Sequence, residues 1–168
     1  TDEGIPSDAI LLESNGKFAM IDTGSQTSSI KVIDFLHDLG VKRLEFILIT
    51  HFHSESFGGI YGEIDTDNLL LSDIKIGKVY MKEYTASDSY FKDKNGNVLN
   101  SSSQISDRRK LRSTMYTNIR ENAILEDIPF TTVNSSLDSL RLGNFDLELF
   151  NTTDNLKPYS GKCLTSKL

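Results

Sequence analysis

The run Phe46-Ile47-Leu48-Ile49 is apolar at every position and ends directly before a loop that carries two histidines. A run this short and bulky reads as a strand buried on both faces, the habit of parallel sheets covered by other layers. Ahead of it, Ile30, Val32, Ile33, Phe35, Leu36 and Leu39 fall at helical spacing from about Gln26 to Leu39. Ser25 or Thr27 suits the start of that helix, and Gly40 supplies its stop. Earlier still, Ala9-Ile10-Leu11-Leu12 and Phe18-Ala19-Met20-Ile21 flank Ser14-Asn15-Gly16, the pattern of a β-hairpin closed by a positive-φ turn. Strand, helix and strand in this order make a βαβ unit with a right-handed crossover. The fold class is therefore α/β, with a mixed β-sheet and helices on one face.

The remaining chain continues in the same style. Ile76 to Met81 reads as one strand, and the polar stretch 84–104 as a loop or insertion. Leu111, Met115 and Ile119 recur at four-residue spacing and predict a second helix from about Ser103 to Asn122. Phe130 to Val133, Ser139 to Leu142 and Phe145 to Phe150 read as strands, the last two joined at Gly143-Asn144. Residues 152–168 read as an irregular polar tail. A chain of 168 residues suits one domain, 1–168.

Composition removes several function classes. With 18 basic and 24 acidic residues the net charge is −6, which argues against a general nucleic-acid binder. The apolar runs are far too short for a transmembrane segment. Cys163 is the single cysteine, so an intrachain disulfide and a cysteine-built zinc site are both excluded. The chain opens at Thr1 without a hydrophobic signal region, and low cysteine content suits the cytoplasm and a disulfide-free exported protein equally.

Chemistry concentrates in Thr50-His51-Phe52-His53-Ser54-Glu55-Ser56-Phe57-Gly58-Gly59. Two of the chain's three histidines stand here, just past the carboxyl end of a buried strand, where α/β sheets bind ligands. Residues two apart on extended backbone share a side, so His51 and His53 can offer two imidazoles to one metal ion. Zinc accepts imidazole nitrogens and carboxylate oxygens, and an open position activates water as a nucleophile. Glu55 is the nearest carboxylate, as ligand or base. The bland alternative is a polar surface pair of histidines. Asp22, at the break after the second apolar run, suits local turn geometry. His37, on the first helix beside Asp38, reads as surface. Arg108, Arg109, Lys110 and Arg112 read as a solvated helix face, with contact to an anionic polymer as the alternative.

Thr50 to Gly59 resembles the T-H-x-H-x-D-H-x-G-G motif of the metallo-β-lactamase fold family of metal-dependent hydrolases. Ser7 to Glu13, then Phe18-Ala19-Met20-Ile21-Asp22-Thr23-Gly24, is similar to that family's opening hairpin and D-T-G turn. Leu44 to Thr50 is similar to its strand before the histidines. The wording of these segments, with Val79 to Tyr84 and Leu142 to Asn151, looks like the teichoic-acid phosphorylcholine esterases of Gram-positive bacteria. The likeness departs at two positions: Glu55 stands where the family has Asp, and Ser56 where it has His. No histidine follows His53, so a full two-metal site cannot be built from one copy of this chain.

The resemblance implies half of an αββα sandwich, its N-terminal half. It implies hydrolysis of an ester or phosphodiester by metal-bound hydroxide, with zinc (one ion at most) held by His51, His53 and Glu55. Glu55 and Asp22 are then the candidate catalytic residues, Asp22 by orienting a metal ligand, with turn geometry alone as the equal alternative. It implies a cell-wall substrate carrying phosphorylcholine, hence an extracellular or cell-surface location, with the cytoplasm not excluded. Tyr80, Tyr84, Tyr90 and Phe91 are candidates for a cation–π cage around choline, with core packing as the alternative. A lone half-sandwich leaves an apolar sheet face open, which implies a homodimer or a missing C-terminal half. The rival expectation is a non-catalytic binding module that keeps the fold and has lost the metal chemistry.

Overall fold

The computed structural model describes residues 8–51, 54–60, 70–82, 116–150, 152 and 165–167, with side chains left aside at 54, 55, 71, 72 and 165–167. The chain opens with the expected hairpin, β1 (Ile10–Ser14) and β2 (Lys17–Ile21), paired antiparallel from Ile10↔Ile21 to Ser14↔Lys17. Asn15 and Gly16 close it with φ of 56° and 73°, the left-handed pair that matches strand twist. A single 3₁₀ turn, Gln26–Ser28, leads into α1 (Ser29–Asp38). Ser25 caps that turn by accepting from the Ser28 amide at 3.2 Å. Gly40 ends the helix at φ 71°.

Next come β3 (Arg43–Leu44), β4 (Ile47–Ile49), the short helices α2 (Ser54–Phe57) and α3 (Leu70–Asp73), β5 (Lys75–Ile76) and β6 (Val79–Lys82). A further helix, α4, is described over 116–125. It is followed by β7 (Phe130–Val133), β8 (Ser139–Leu142), β9 (Phe145–Phe150) and β10 (Thr165–Lys167). The main sheet has the order β1-β2-β4-β6-β7. Its hairpin pair is antiparallel and every other neighbour is parallel, so the sheet is mixed.

One face of this sheet carries the helices. Met20, Ile47, Ile49, Val79 and Met81 pack there against Ile33 and Leu36 of α1, Phe57, Leu70, and Ile119 and Ala123 of α4. The other face turns Leu12, Ala19, Ile21, Leu48 and Val133 toward Leu140, Leu142, Leu147 and Leu149 of a second sheet, β8-β9-β10. The layers are thus α, β and β, and the fold is α/β with a mixed sheet and helices on one face.

The second sheet corrects one expectation. The sheet face expected to lie open is covered by the chain's own β8 and β9, so it gives no reason for a homodimer. Two further corrections concern elements. Residues 76–81 form two strands, because the Gly77 amide turns to the Leu44 carbonyl at 2.8 Å and closes the small β3–β5 pair. β6 then starts afresh beside β4. The tail expected to be irregular contributes β10, antiparallel to β9 through Thr165↔Phe150. The helix expected to stop near Asn122 runs on through 125, and its expected first part, 103–115, lies outside the described residues. So do the loop 84–104, the basic cluster 108–112, Tyr84, Tyr90 and Phe91.

Candidate functional site

β2 and β4 are parallel neighbours, and both release their chains at the same edge of the sheet. Asp22-Thr23-Gly24 leaves β2 there, and Thr50-His51 leaves β4. Asp22 takes φ 55° and Gly24 φ 77°, so the backbone turns sharply as soon as the ladder ends. Aspartate tolerates this left-handed conformation better than most residues.

The turn is tied to the histidine loop by backbone as well as side chain. The Thr23 amide donates to the Ser56 carbonyl at 2.6 Å, and the Gly59 amide donates to the Gly24 carbonyl at 3.2 Å. Thr23 is fully buried, and its hydroxyl also donates to Ser56 O at 3.2 Å. Gly59 permits this contact: a Cβ there would lie 2.5 Å from Thr23 O. α2 is therefore held directly over the D-T-G turn.

Asp22 reaches across to the next strand. Its carboxylate accepts from the Thr50 amide at 2.8 Å and from the Thr50 hydroxyl at 2.6 Å. The Thr50 hydroxyl lies 2.8 Å from His51 Nδ1. With its proton given to Asp22, the hydroxyl is an acceptor on its other side. This assigns Nδ1–H to His51 and leaves the lone pair on Nε2. The side-chain bonds of Asp22 go to residue 50 on the neighbouring strand. Asp22 is 5% exposed, and burial raises its carboxyl from 3.8 to about 6, against the lowering effect of the two Thr50 hydrogen bonds.

Ser56 is fully buried and faces the same ring, with its hydroxyl 3.2 Å from Nε2 and 3.5 Å from Nδ1. Near-equal distances place the hydroxyl alongside the ring, out of line with either nitrogen. The structure thus brings Asp22, Thr50, His51 and Ser56 together. His53 lies outside the described residues, and Glu55 is placed only by its backbone in α2. Among the described residues there is no group of three or more His, Cys, Asp or Glu able to hold a metal ion. His37 sits away from this group, on exposed α1, with Nε2 2.7 Å from Asp73.

The sequence motif alone gives Thr50 no role; its bonds to Asp22 and His51 do. A hydroxyl residue at the end of an otherwise apolar strand, directly before a histidine, was the available signal. Tyr80 goes to packing. Its ring meets Phe46 edge-on at 5.8 Å, and Lys78 of the same strand connection lies 5.5 Å over it.

Residues 2–69 match the family model described as Metallo-beta-lactamase superfamily. This part of the chain is similar to that superfamily. Two solved structures are similar to the chain. One is titled "Crystal Structure of a New Diphosphatase from the PhnP Family", with 15% identity, TM-score 0.43, and coverage of 84% of this chain and 41% of that one. The other is "MIM-2 Metallo-Beta-Lactamase", with 17% identity, TM-score 0.48, and coverage of 93% of this chain and 48% of that one. The chain thus spans less than half the length of either structure. No curated protein sequence matches it significantly. Among the described residues no helix is long and apolar enough to cross a membrane.

Proposed function

We propose that this chain carries the metal-holding part of a hydrolase that cleaves ester or phosphodiester bonds. The observation that carries the reading is the line from Asp22 through Thr50 to His51. A buried carboxylate that fixes the tautomer of a histidine at a sheet edge is the usual support of a metal-ligating imidazole. The donor set fits one ion. His51 offers Nε2, His53 a second imidazole, and Glu55 a carboxylate, a combination suited to zinc. It does not fit a second ion, because Ser56 is a neutral hydroxyl already set beside the His51 ring.

Zinc, if held by His51, His53 and Glu55, would supply Lewis acidity and water activation near neutral pH. The chain's own residues do the rest. Thr50 holds the imidazole plane, Asp22 anchors Thr50, and Gly59 lets α2 close over the turn. Glu55 completes the ligand set or accepts a proton. The finer reading is a phosphorylcholine esterase-like enzyme, acting on teichoic acid at the surface of a Gram-positive cell. A homodimer, or further chain beyond this one, then completes the site.

Elemental analysis of the chain tests the metal site. Near one zinc per chain, lost in His51→Ala/His53→Ala, is the expected result. Hydrolysis of a chromogenic phosphorylcholine ester with added zinc tests the chemistry, and turnover no higher than that of His51→Ala would sink it. A second reading, a non-catalytic binding module, is favoured by Ser56 beside His51. Metal content equal in wild type and double variant would select it.

A further inference from the structure

β1 is the outer strand of the main sheet, with β2 on one side and no strand of the described residues on the other. The two-residue turn makes Ser14↔Lys17 a hydrogen-bonded pair, and antiparallel alternation extends this to Leu12 and Ile10. The Asp8 carbonyl, which accepts from the Gly24 amide at 2.8 Å, continues the same inward series. The amides and carbonyls of Ala9, Leu11 and Glu13 therefore point outward, and none has a backbone partner among the described residues. On the helix-facing side this edge borders an apolar groove, lined by Ala9 and Leu11 together with Lys31, Val32 and Phe35 of α1. Phe35 is 53% exposed there, and Ile10, on the opposite face of the strand, is 52% exposed. β1 holds no proline, lysine or bulge of the kind that keeps sheet edges from pairing.

An edge of this make-up fits a second copy of itself. Antiparallel pairing about a two-fold axis at Leu11 engages all three outward residues: Leu11 bonds Leu11 of the second copy, and Ala9 bonds its Glu13. Opposed residues share a face, so leucine meets leucine at the groove, and the exposed Ile10 meets Leu12 of the second copy on the other face. Glu13 of one copy lands beside Ala9 of the other, at the groove that Lys31 lines, and the two charges are opposite. One carboxylate oxygen of Glu13 accepts from the Gly16 amide at 2.8 Å, which leaves the other for Lys31. An axis at Leu12 would instead set Leu11 against Glu13, an apolar side chain against a charge. We propose that this chain forms a homodimer by antiparallel pairing of β1 with β1 of a second copy about Leu11, merging two five-stranded sheets into one. The inference rests on no part of the hydrolase reading.

Sedimentation equilibrium of the whole chain, from micromolar to submillimolar concentration, should show a monomer–dimer equilibrium. Glu13→Lys and Lys31→Glu should each weaken the dimer about tenfold, because the two-fold axis repeats every reversed pair. The double swap should recover most of that loss. Ile10→Lys, at an exposed position, should weaken the dimer at least about tenfold. Hydrogen exchange of the wild type, followed by NMR, locates the interface. The outward amides of Leu11 and Glu13 should gain protection as the dimer fills, while the inward amide of Leu12, already paired with β2, should change little. A monomer with these amides unprotected at every concentration overturns the proposal, and so does a dimer whose Leu11 and Glu13 amides exchange as fast as in the monomer. Protection of those amides in a monomer assigns the edge to another segment of the same chain and overturns it too. A double swap no better than either single change overturns the register at Leu11. If a variant fails to fold, the wild-type exchange rates decide alone.

Discussion

Two turns leave the same strand and are built on different principles. The Asn15-Gly16 turn before β2 is local: its residues adopt left-handed φ values, and the Gly16 amide donates to Glu13 at 2.8 Å, three residues away. The Asp22-Thr23-Gly24 turn after β2 has left-handed φ values too, yet its partners are Asp8, Thr50, Ser56 and Gly59. The first turn needs only its own residues. The second is a junction, and it holds its shape only if β4 and α2 are already in place. Rigid side-chain placement at a sheet edge comes from the second kind.

Glycine substitutions break this comparison most sharply. Gly59→Ala sets a Cβ 2.5 Å from the Thr23 carbonyl, a backbone atom that cannot step aside. It should cost about 3 kcal/mol in urea unfolding and disturb the histidine loop. Gly16→Ala meets nothing within 4 Å, so its cost is the left-handed φ alone.

A titration probes the junction without changing its shape. The Asp22 carboxyl rises from 3.8 to about 6 on folding, so between these values the folded state binds more protons than the unfolded chain. Stability from this group is therefore greatest below about pH 4 and is lost as pH rises through about 6, a fall of about 3 kcal/mol. Asp22→Asn should remove that slope from a series of unfolding curves, while His37→Gln, far from the junction, should leave it. A slope unchanged in Asp22→Asn would assign the pH dependence to other groups.

Thr50→Val isolates the relay to His51. It removes the hydroxyl that links Asp22 to Nδ1, at about 1 kcal/mol of stability. Zinc affinity should fall by about 10–100-fold, and Thr50→Ser should restore most of it. Equal affinity in wild type and Thr50→Val would remove Thr50 from the metal argument. The smallest effect belongs to the local turn: Gly16→Ala should cost about 1 kcal/mol and leave zinc affinity untouched.

The same contrast explains what the sequence disclosed. Features set by near neighbours were legible: both hairpin turns, α1 with its Gly40 stop, and strands β7, β8 and β9 to the residue. Features set by distant partners were not. The break at Gly77 depends on a bond to Leu44, and β10 depends on the edge that β9 leaves open. The covered sheet face depends on the packing of β8 against β2, which no local pattern encodes. At the site, His51 and Asp22 stood out by residue type. Their link through Thr50 follows from the parallel register of β2 and β4, and register is a tertiary fact.

The strand order β2, β4, β6, β7 repeats the order of synthesis, with each parallel newcomer added to the outer edge of the last. A nascent chain can thus zip this sheet outward as it leaves the ribosome, with no strand inserted between two already paired. The D-T-G turn, Thr50-His51 and Gly59 all emerge before β6 is made. The corner that joins Asp22, Thr50 and His51 is consequently the oldest part of the growing sheet, and errors in the later strands need not reach back into it.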